Sequence, residues 1–425
     1  MLDIKFIREN PEAVQKGAAA KGVEIDISKL LKLDTAKREL QAHAEKTRAL
    51  QKELSAAVPK ASPEERKKLL ADSSKLKEEF LALDERLKLV DGELMVEMLK
   101  IPNLPAADVK IAKGESGNEV ALVSGSRPQF DFPPKDALTL GEALDIIDVE
   151  RAAKVSGSRF GYLKGAGAIL EFALVRYALD IIMKEGFVPV IPPVMVGEKA
   201  MRAMGYLDRS ADEVYSFPAD NLYLVGTSEQ SVGPMHMDEV FEASELPKRY
   251  VSFSTCFRRE AGSYGKDTRG IIRVHQFDKL EMVSFVLPEN DDAEHKLLSS
   301  IEQKLMKGLG LHFHLLNIGS GDLGDPAARK YDIEAWIPSE DKFRETHSTS
   351  TTTDWQARRL NIRYKRPVAG KTEHGYVHML NGTAFAIGRT IVAILENYQL
   401  ADGSVKIPDA LVPYCGFDRI TKRVS

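Results

Sequence analysis

The chain has 425 residues, 43% of them hydrophobic and 29% charged, with a formal net charge of -4 at pH 7. That composition supplies one large globular domain and a smaller one, and it excludes a disordered or fibrous chain. It also excludes a surface coated with cations, so any nucleic-acid contact has to come from local patches.

The first ten residues mix apolar and charged side chains, and the run AFAIGRTIVAILENY is interrupted by Arg389 and Glu396. Neither a signal peptide nor a membrane span is expected. Residues 1 to 28 read as a short helix that closes at glycine. Between 29 and 99 the composition turns to Leu, Ala, Glu, Lys and Arg, broken around Pro59 and Pro63, which predicts two helices joined by a tight turn. In the second, Leu69, Ser73, Leu76, Phe80, Leu83, Leu87, Val90 and Leu94 alternate steps of four and three, a heptad seam. In the first, Leu33, Leu40, Thr47 and Leu54 repeat every seven, a thinner stripe. The pair is expected to form an antiparallel coiled-coil hairpin of roughly 50 Å, longer than packing on one domain requires. Lys37, Arg38, Lys46, Arg48, Lys52 and Lys60, then Arg66, Lys67 and Lys68, load its outer face and tip with cations. Those charges suit phosphates, and they equally suit a coiled coil that is only well solvated.

Residues 100 to 135 are rich in Pro, Gly, Ser and Asp and read as an irregular linker. The predicted division is therefore a domain over 1–103, a linker over 104–135 and a second domain over 136–425. In that second domain, helical stretches (141–154, 166–186) alternate with strand-like runs at 222–226, 249–257, 271–286, 311–318 and 331–337. Short turns join several of them, which predicts an α+β domain with an antiparallel β-sheet flanked by helices. The two cysteines, Cys256 and Cys415, cannot build a disulfide framework, and no CxxC pair or Cys/His cluster offers a zinc site, which fits a reducing, cytoplasmic home.

The stretch TCFRREAGSYGKDTRGIIRVHQFDKLEM, residues 255–282, carries the most chemistry. Arg258 and Glu260 lie two apart on a predicted strand and so share a face. A turn-prone loop (Gly262, Ser263, Gly265, Asp267, Gly270) leads to a second run in which Arg273, His275 and Phe277 alternate with Val274 and Gln276. Attack of a carboxylate on the α-phosphate of ATP builds charge between two anions, and a guanidinium bridging both offsets the repulsion. Arg258 fits that task, Phe277 offers adenine a stacking face, and Glu260 could accept from the adenine amino group. Spacing alone also allows a salt-bridged surface hairpin.

FRRE at 257–260 followed by RVHQF at 273–277 resembles motif 2 of the class II aminoacyl-tRNA synthetases, and the longer string resembles the seryl-tRNA synthetases among them. The resemblance runs from the MLDIKFIRENPEAV opening to the ENYQLADGSVKIPDALVPY close. EGFVPVIPPVMV, with Gly186 at a helix end and Pro193 along a strand, resembles motif 1 and implies a homodimer. NGTAFAIGRTIVAILENYQ resembles motif 3, with Arg389 at a strand end covering the adenine face opposite Phe277. The resemblance implies ATP contacts from Arg258, Arg259, Glu260, Arg273, Phe277, Glu345, Thr346, His347, Ser348 and Arg389. Of these, Arg258, Glu260, Arg273 and Arg389 form the catalytic set, while Glu345 and Ser348 meet Mg²⁺ together with the phosphates. It implies serine contacts from Thr227, Ser228, Glu229, Arg258, Glu281, Asn381 and Thr383.

His347 and the run Thr349 to Thr353 depart from the Ser/Cys/Asn-rich stretch familiar in the family. For the hairpin arm the family implies a grip on the long variable arm of tRNA(Ser), with tRNA(Sec) as a further acceptor to consider. The implied activity is ATP-dependent serine activation and transfer to tRNA. Two alternatives are weighed against it: a paralogue loading a carrier protein, against which the full hairpin arm argues, and a non-catalytic RNA-binding or regulatory paralogue, against which the presence of Arg258, Glu260, Arg273 and Arg389 argues.

Overall fold

The computed structural model describes residues 1–209, 211–261 and 269–422. The chain divides into two compact units, one of residues 1–19 with 23–102 and the other of residues 20–22 with 103–425. The Gly262, Ser263, Gly265 and Asp267 positions of the expected turn lie outside the described residues.

In the first unit a short helix, Ile4–Glu9, starts on Asp3, whose carboxylate accepts from the Lys5 N–H. The long hairpin follows as Ile27–Ala57 and Pro63–Leu99, about 46 and 55 Å at 1.5 Å per residue. Pro59 sits in the single tight turn Val58–Lys60 between them. Ser62 then restarts the helix through a capping box with Glu65, and Pro63 occupies the first helical position, where its missing N–H costs nothing.

The expected seam of the second helix is the half-buried to buried stripe from Leu69 to Leu94. In the first helix the stripe is twice as dense as its leucines implied. Leu30, Lys37, Ala44 and Gln51 fill the steps between Leu33, Leu40, Thr47 and Leu54, and all eight are half-buried or buried. Half of that seam is polar or small and so invisible to a search for leucines. Lys37 meets Asp91 at 2.5 Å, and the hydroxyls of Ser55 and Ser73 lie 3.0 Å apart. Arg38 pairs with Asp34 at 3.1 Å and Arg48 lies over the Phe80 ring at 5.5 Å. Lys46, Lys52, Lys60, Arg66, Lys67 and Lys68 are exposed and make no ion pair among the described residues.

The second unit is built on an eight-stranded sheet. Its spatial order is Glu119–Ser124, Phe313–Asn317, Arg329–Ile337, Lys342–Thr351, His378–Ala386, Gln276–Val286, Lys248–Phe257 and Val188–Val190. Every pairing is antiparallel except the last, which is parallel. Strand alternation gives the sheet two chemically different faces. Leu280, Met282, Ile333, Ala335, Leu380 and Ala384 point into one core with Leu170 and Leu174 of helix Ala166–Ile182, Leu298 and Leu305 of Asp291–Gly308, and Ile391 and Ile394 of Ile387–Asn397. Burying each leucine, isoleucine or methionine among them contributes about 1.5–3 kcal/mol, which fixes the register and commits the alternate residues to the opposite face.

Six expectations need correction. The single helix read over residues 1 to 28 is two, Ile4–Glu9 and Pro11–Ala20, parted at Asn10. The stretch 104–135, read as an irregular linker, carries the sheet's edge strand Glu119–Ser124 and belongs to the second compact unit. The helix expected over 141–154 is two helices, Ala137–Ala143 and Val149–Ser156, because Asp145 takes a left-handed φ of 58° and Asp148 caps the second by accepting from the Arg151 N–H. The strand expected to carry Arg258 ends at Phe257, and Glu260 has a left-handed φ of 53°. The strand expected from 271 begins at Gln276, since the His275 N–H turns away to the Arg159 carbonyl at 3.0 Å. Pro193 falls between the short strands Val188–Val190 and Met195–Gly197 instead of on one.

Helix Ala166–Ile182 meets the sheet through a carboxyl pair, Glu171 with Asp278, while Asp278 also accepts from the Thr255 hydroxyl at 2.6 Å. Burial first, then the Asp278 charge, pushes Glu171 up to about 8. A folded-state pKa above the unfolded one means the native chain holds the extra proton. The stabilisation is therefore complete below the ordinary glutamate pKa and is lost as pH rises towards 8. Melting temperatures from pH 5 to 9 should fall more steeply for the native chain than for Glu171→Gln. Parallel curves would remove this pair from the account.

Candidate active site

The polar face of the sheet lines a cavity of about 370 Å³. Phe277, Lys279 and Glu281 reach it from one strand, Asn381 and Thr383 from the next, and Ser348 and Ser350 from the third. A register shift places Ile333 opposite His347 but Glu334 opposite Glu345. The extra residue this inserts lets the adjacent Glu345 and Thr346 both line the cavity.

Two buried carboxylates form the inner end. Glu229 accepts from the Gln356 amide at 2.8 Å, the Asn381 amide at 2.9 Å and the Tyr206 hydroxyl at 3.1 Å. Burial, with Glu281 adding to it, pushes Glu229 up from its ordinary value, and the donors and Lys279 oppose the shift. Glu281 pairs with Lys279 at 2.5 Å and accepts from Thr383 and Asn381, each at 3.3 Å. The Thr227 hydroxyl takes the Glu229 N–H at 3.3 Å. This end is an array of two carboxylates with hydroxyl, amide and ammonium donors around them, which suits a ligand carrying both a cation and a hydroxyl.

The outer end carries cations. The Arg258 guanidinium lies 5.3 Å from the centre of the Phe277 ring, and its Nε donates to the Gly226 carbonyl at 3.2 Å. Arg273 meets Glu260 at 2.7 Å. Arg389 sits in the first turn of helix Ile387–Asn397, not at a strand end, and donates to the Glu345 carbonyl at 2.9 Å. Cavity walls press the Glu345 carboxyl upward, but Arg389, Lys330, Arg258 and Lys279 outweigh them and hold it below its ordinary value. The remaining wall is the loop Gly324–Ala327. Its carbonyls at Gly324, Asp325 and Ala327 accept from the buried Lys21 ammonium at 2.9, 3.3 and 2.6 Å.

Three residues expected at the site lie away from it. His347 faces the core, packed edge-on to Phe385, and burial pushes its imidazole down to about 3. Ser228 is buried behind the cavity against the Ser252 hydroxyl at 2.7 Å. Arg259 turns outward, with its N–H on the Glu213 carbonyl and its guanidinium 5.7 Å from the Tyr215 ring. Sequence reading missed Lys279, Lys330, Ser350 and Thr352. For Lys279 the signal was present, because it stands midway between Phe277 and Glu281 on one strand face. Nothing in the sequence pointed to Tyr206 or Gln356.

Comparison with known proteins gives two family matches: the seryl-tRNA synthetase N-terminal domain over residues 1–105, and the tRNA synthetase class II core domain (G, H, P, S and T) over residues 215–398. Serine–tRNA ligase 1 of Streptomyces avermitilis is 46% identical, with both chains covered completely. The serine–tRNA ligase of Acidothermus cellulolyticus is 47% identical over 98% of this chain and 99% of its own. The chain belongs to the seryl-tRNA synthetase family. Among solved structures, the seryl-tRNA synthetase from Pyrococcus horikoshii, complexed with ATP, superposes with a TM-score of 0.92 at 37% identity, covering 100% of both chains. The cytoplasmic serine–tRNA ligase from Naegleria fowleri, in complex with AMP, gives 0.87 at 30% identity, covering 100% of this chain and 99% of its own. Family membership is an enzyme class as well as a fold: these are class II aminoacyl-tRNA ligases.

Proposed function

We propose that this chain is a serine–tRNA ligase that forms seryl-adenylate from ATP and L-serine and then esterifies the terminal ribose of tRNA(Ser). The observation that carries the reading is the pair of buried carboxylates, Glu229 and Glu281, at the inner end of a cavity whose outer end holds Arg258, Arg273 and Arg389. Glu229 and Thr227 suit the substrate ammonium. Glu281 with Thr383 and Asn381 suits the serine hydroxyl, and a site whose polar groups need that hydroxyl can reject alanine by about 10⁴. Arg258 spans the substrate carboxylate and the α-phosphate. Arg273 leaves Glu260 for the outer phosphates, Glu260 turns to the adenine amino group, and Arg389 and Phe277 enclose the ring. A carboxylate already ionised at neutral pH needs no general base, so the residues act by alignment and charge neutralisation.

Glu345 and Ser348 offer oxygen donors suited to a hard cation. Among the described residues no group of three or more His, Cys, Asp or Glu could hold a metal ion, so Mg²⁺ would need the phosphates as partners. When bound, it neutralises phosphate charge.

In this reading residues 1–103 recognise tRNA through the exposed cations of the hairpin and 136–425 do the chemistry, with the stretch 104–135 lending the strand Glu119–Ser124 to the edge of the same sheet. A homodimer is supported by exposed apolar side chains along motif 1 and the helix before it, with Phe172 at 68% and Ile191 at 87% exposure. A cytoplasmic home suits the two free, buried cysteines, and no described helix is long and apolar enough to cross a membrane. Charging of tRNA(Sec) is a further acceptor activity to assay.

The test is pyrophosphate exchange into ATP with each standard amino acid, without tRNA. Exchange confined to serine is expected. Exchange with a different amino acid would overturn the roles given to Glu281 and Thr383, and folded protein without exchange would favour the non-catalytic paralogue.

A further inference from the structure

Gln356 stands outside the cavity lining, in the first turn of helix Trp355–Leu360, and is 1% exposed. Its amide nitrogen donates to Glu229 Oε1 at 2.8 Å, while the two other donors, Tyr206 and Asn381, both use Oε2. Oε1 therefore depends on Gln356 alone among the described hydrogen bonds. The amide is itself held in place: the Thr352 hydroxyl donates to its oxygen at 3.1 Å, and its nitrogen reaches the Met204 carbonyl at 3.4 Å. A carboxylate offers about four lone-pair sites, and three are used here, which leaves one for an incoming cation.

We propose that Gln356 is a positioning residue for amino-acid recognition, holding the Glu229 carboxylate ionised and turned so that its remaining lone pair meets the substrate ammonium. This rests on the serine-activation reading above. Tyr206, Asn381, Gln356, Lys279 and Glu281 are the polar and charged groups that face Glu229 from the surrounding elements. Lys279 favours its charge and Glu281 opposes it, so removing one donor shifts the balance towards the protonated, non-binding form.

The experiment measures pyrophosphate exchange on the full-length protein from pH 6 to 9, giving KM for serine, KM for ATP and kcat. Gln356→Met keeps the length and removes the hydrogen bond. Its serine KM should rise roughly tenfold or more at pH 7, the scale of one hydrogen bond to a charged group, and recover as pH rises, with ATP KM unchanged. Gln356→Glu keeps the shape, and the introduced carboxyl can donate only while protonated. Its serine KM should be nearest the native value at pH 6 and worsen with rising pH, the opposite slope.

Serine KM values that move in parallel with ATP KM, or that keep the native pH profile in both variants, would overturn the proposal. Should Gln356→Met fail to fold, the slope of Gln356→Glu decides alone. Native protein lacking serine-dependent exchange would overturn the reading of the site and this proposal together. Native exchange with flat variants would overturn this proposal only.

Discussion

Replacing Arg258 with alanine is expected to lower serine-dependent pyrophosphate exchange by roughly 10²–10³, the cost of losing one preorganised donor to a developing anion. The reason lies in where the guanidinium is held. Phe277 at 5.3 Å and the Gly226 carbonyl at 3.2 Å hold it in the cationic end of the cavity, and Gly226 is the chain neighbour of Thr227 in the anionic one. Joining a carboxylate to a phosphate there brings two negative charges together, and of the other described cations that line the cavity Lys279 is already paired with Glu281, Arg273 with Glu260 and Lys330 with Asp332. The loss should fall on kcat, since the bridge is made most fully in the transition state. Arg258→Lys should recover only part of the rate, because a point charge cannot span both anions as a planar fork does. Melting temperature should barely move, as the side chain makes one hydrogen bond to the main chain. Exchange within about threefold of native would remove Arg258 from the bridging role.

Shortening the hairpin should have a second large effect, confined to the other half-reaction. Arg48 and Phe80 already touch across the two helices at 5.5 Å, so residues 49–79 can be replaced by a short turn without changing the register below them. That removes Lys52, Lys60, Arg66, Lys67 and Lys68, which make no ion pair among the described residues. Aminoacylation of tRNA(Ser) should fall roughly a hundredfold or more at physiological salt, with a shallower dependence on salt concentration, as phosphate contacts are lost. Pyrophosphate exchange should stay within about twofold, since distant sites behave independently. Equal loss of both activities would mean that the arm serves stability and not tRNA.

The leucine seam from Leu69 to Leu94 was legible because it repeats with the period of a helix, while Phe277, Glu281 and Arg389 were legible through the motifs that resemble the family's. The partner stripe on the first arm helix was half legible, since Leu30, Lys37, Ala44 and Gln51 make up its other half and three of those four are polar or small. His347 was misplaced because a single register shift at Thr346 decides which neighbours face the cavity, and a bulge leaves no mark in a one-dimensional pattern.

By itself, then, the sequence determined the family and most of the polar groups that line the cavity, since motifs and their spacing are local properties. Only the tertiary structure decided which of those groups meet. Glu229 draws its donors from Tyr206, Gln356 and Asn381, and Lys21 pins a wall at Gly324 to Ala327, across separations of up to 306 residues. Those pairings are set by how short helices and loops from distant parts of the chain pack against the strand that carries Asn381, and no local pattern encodes them.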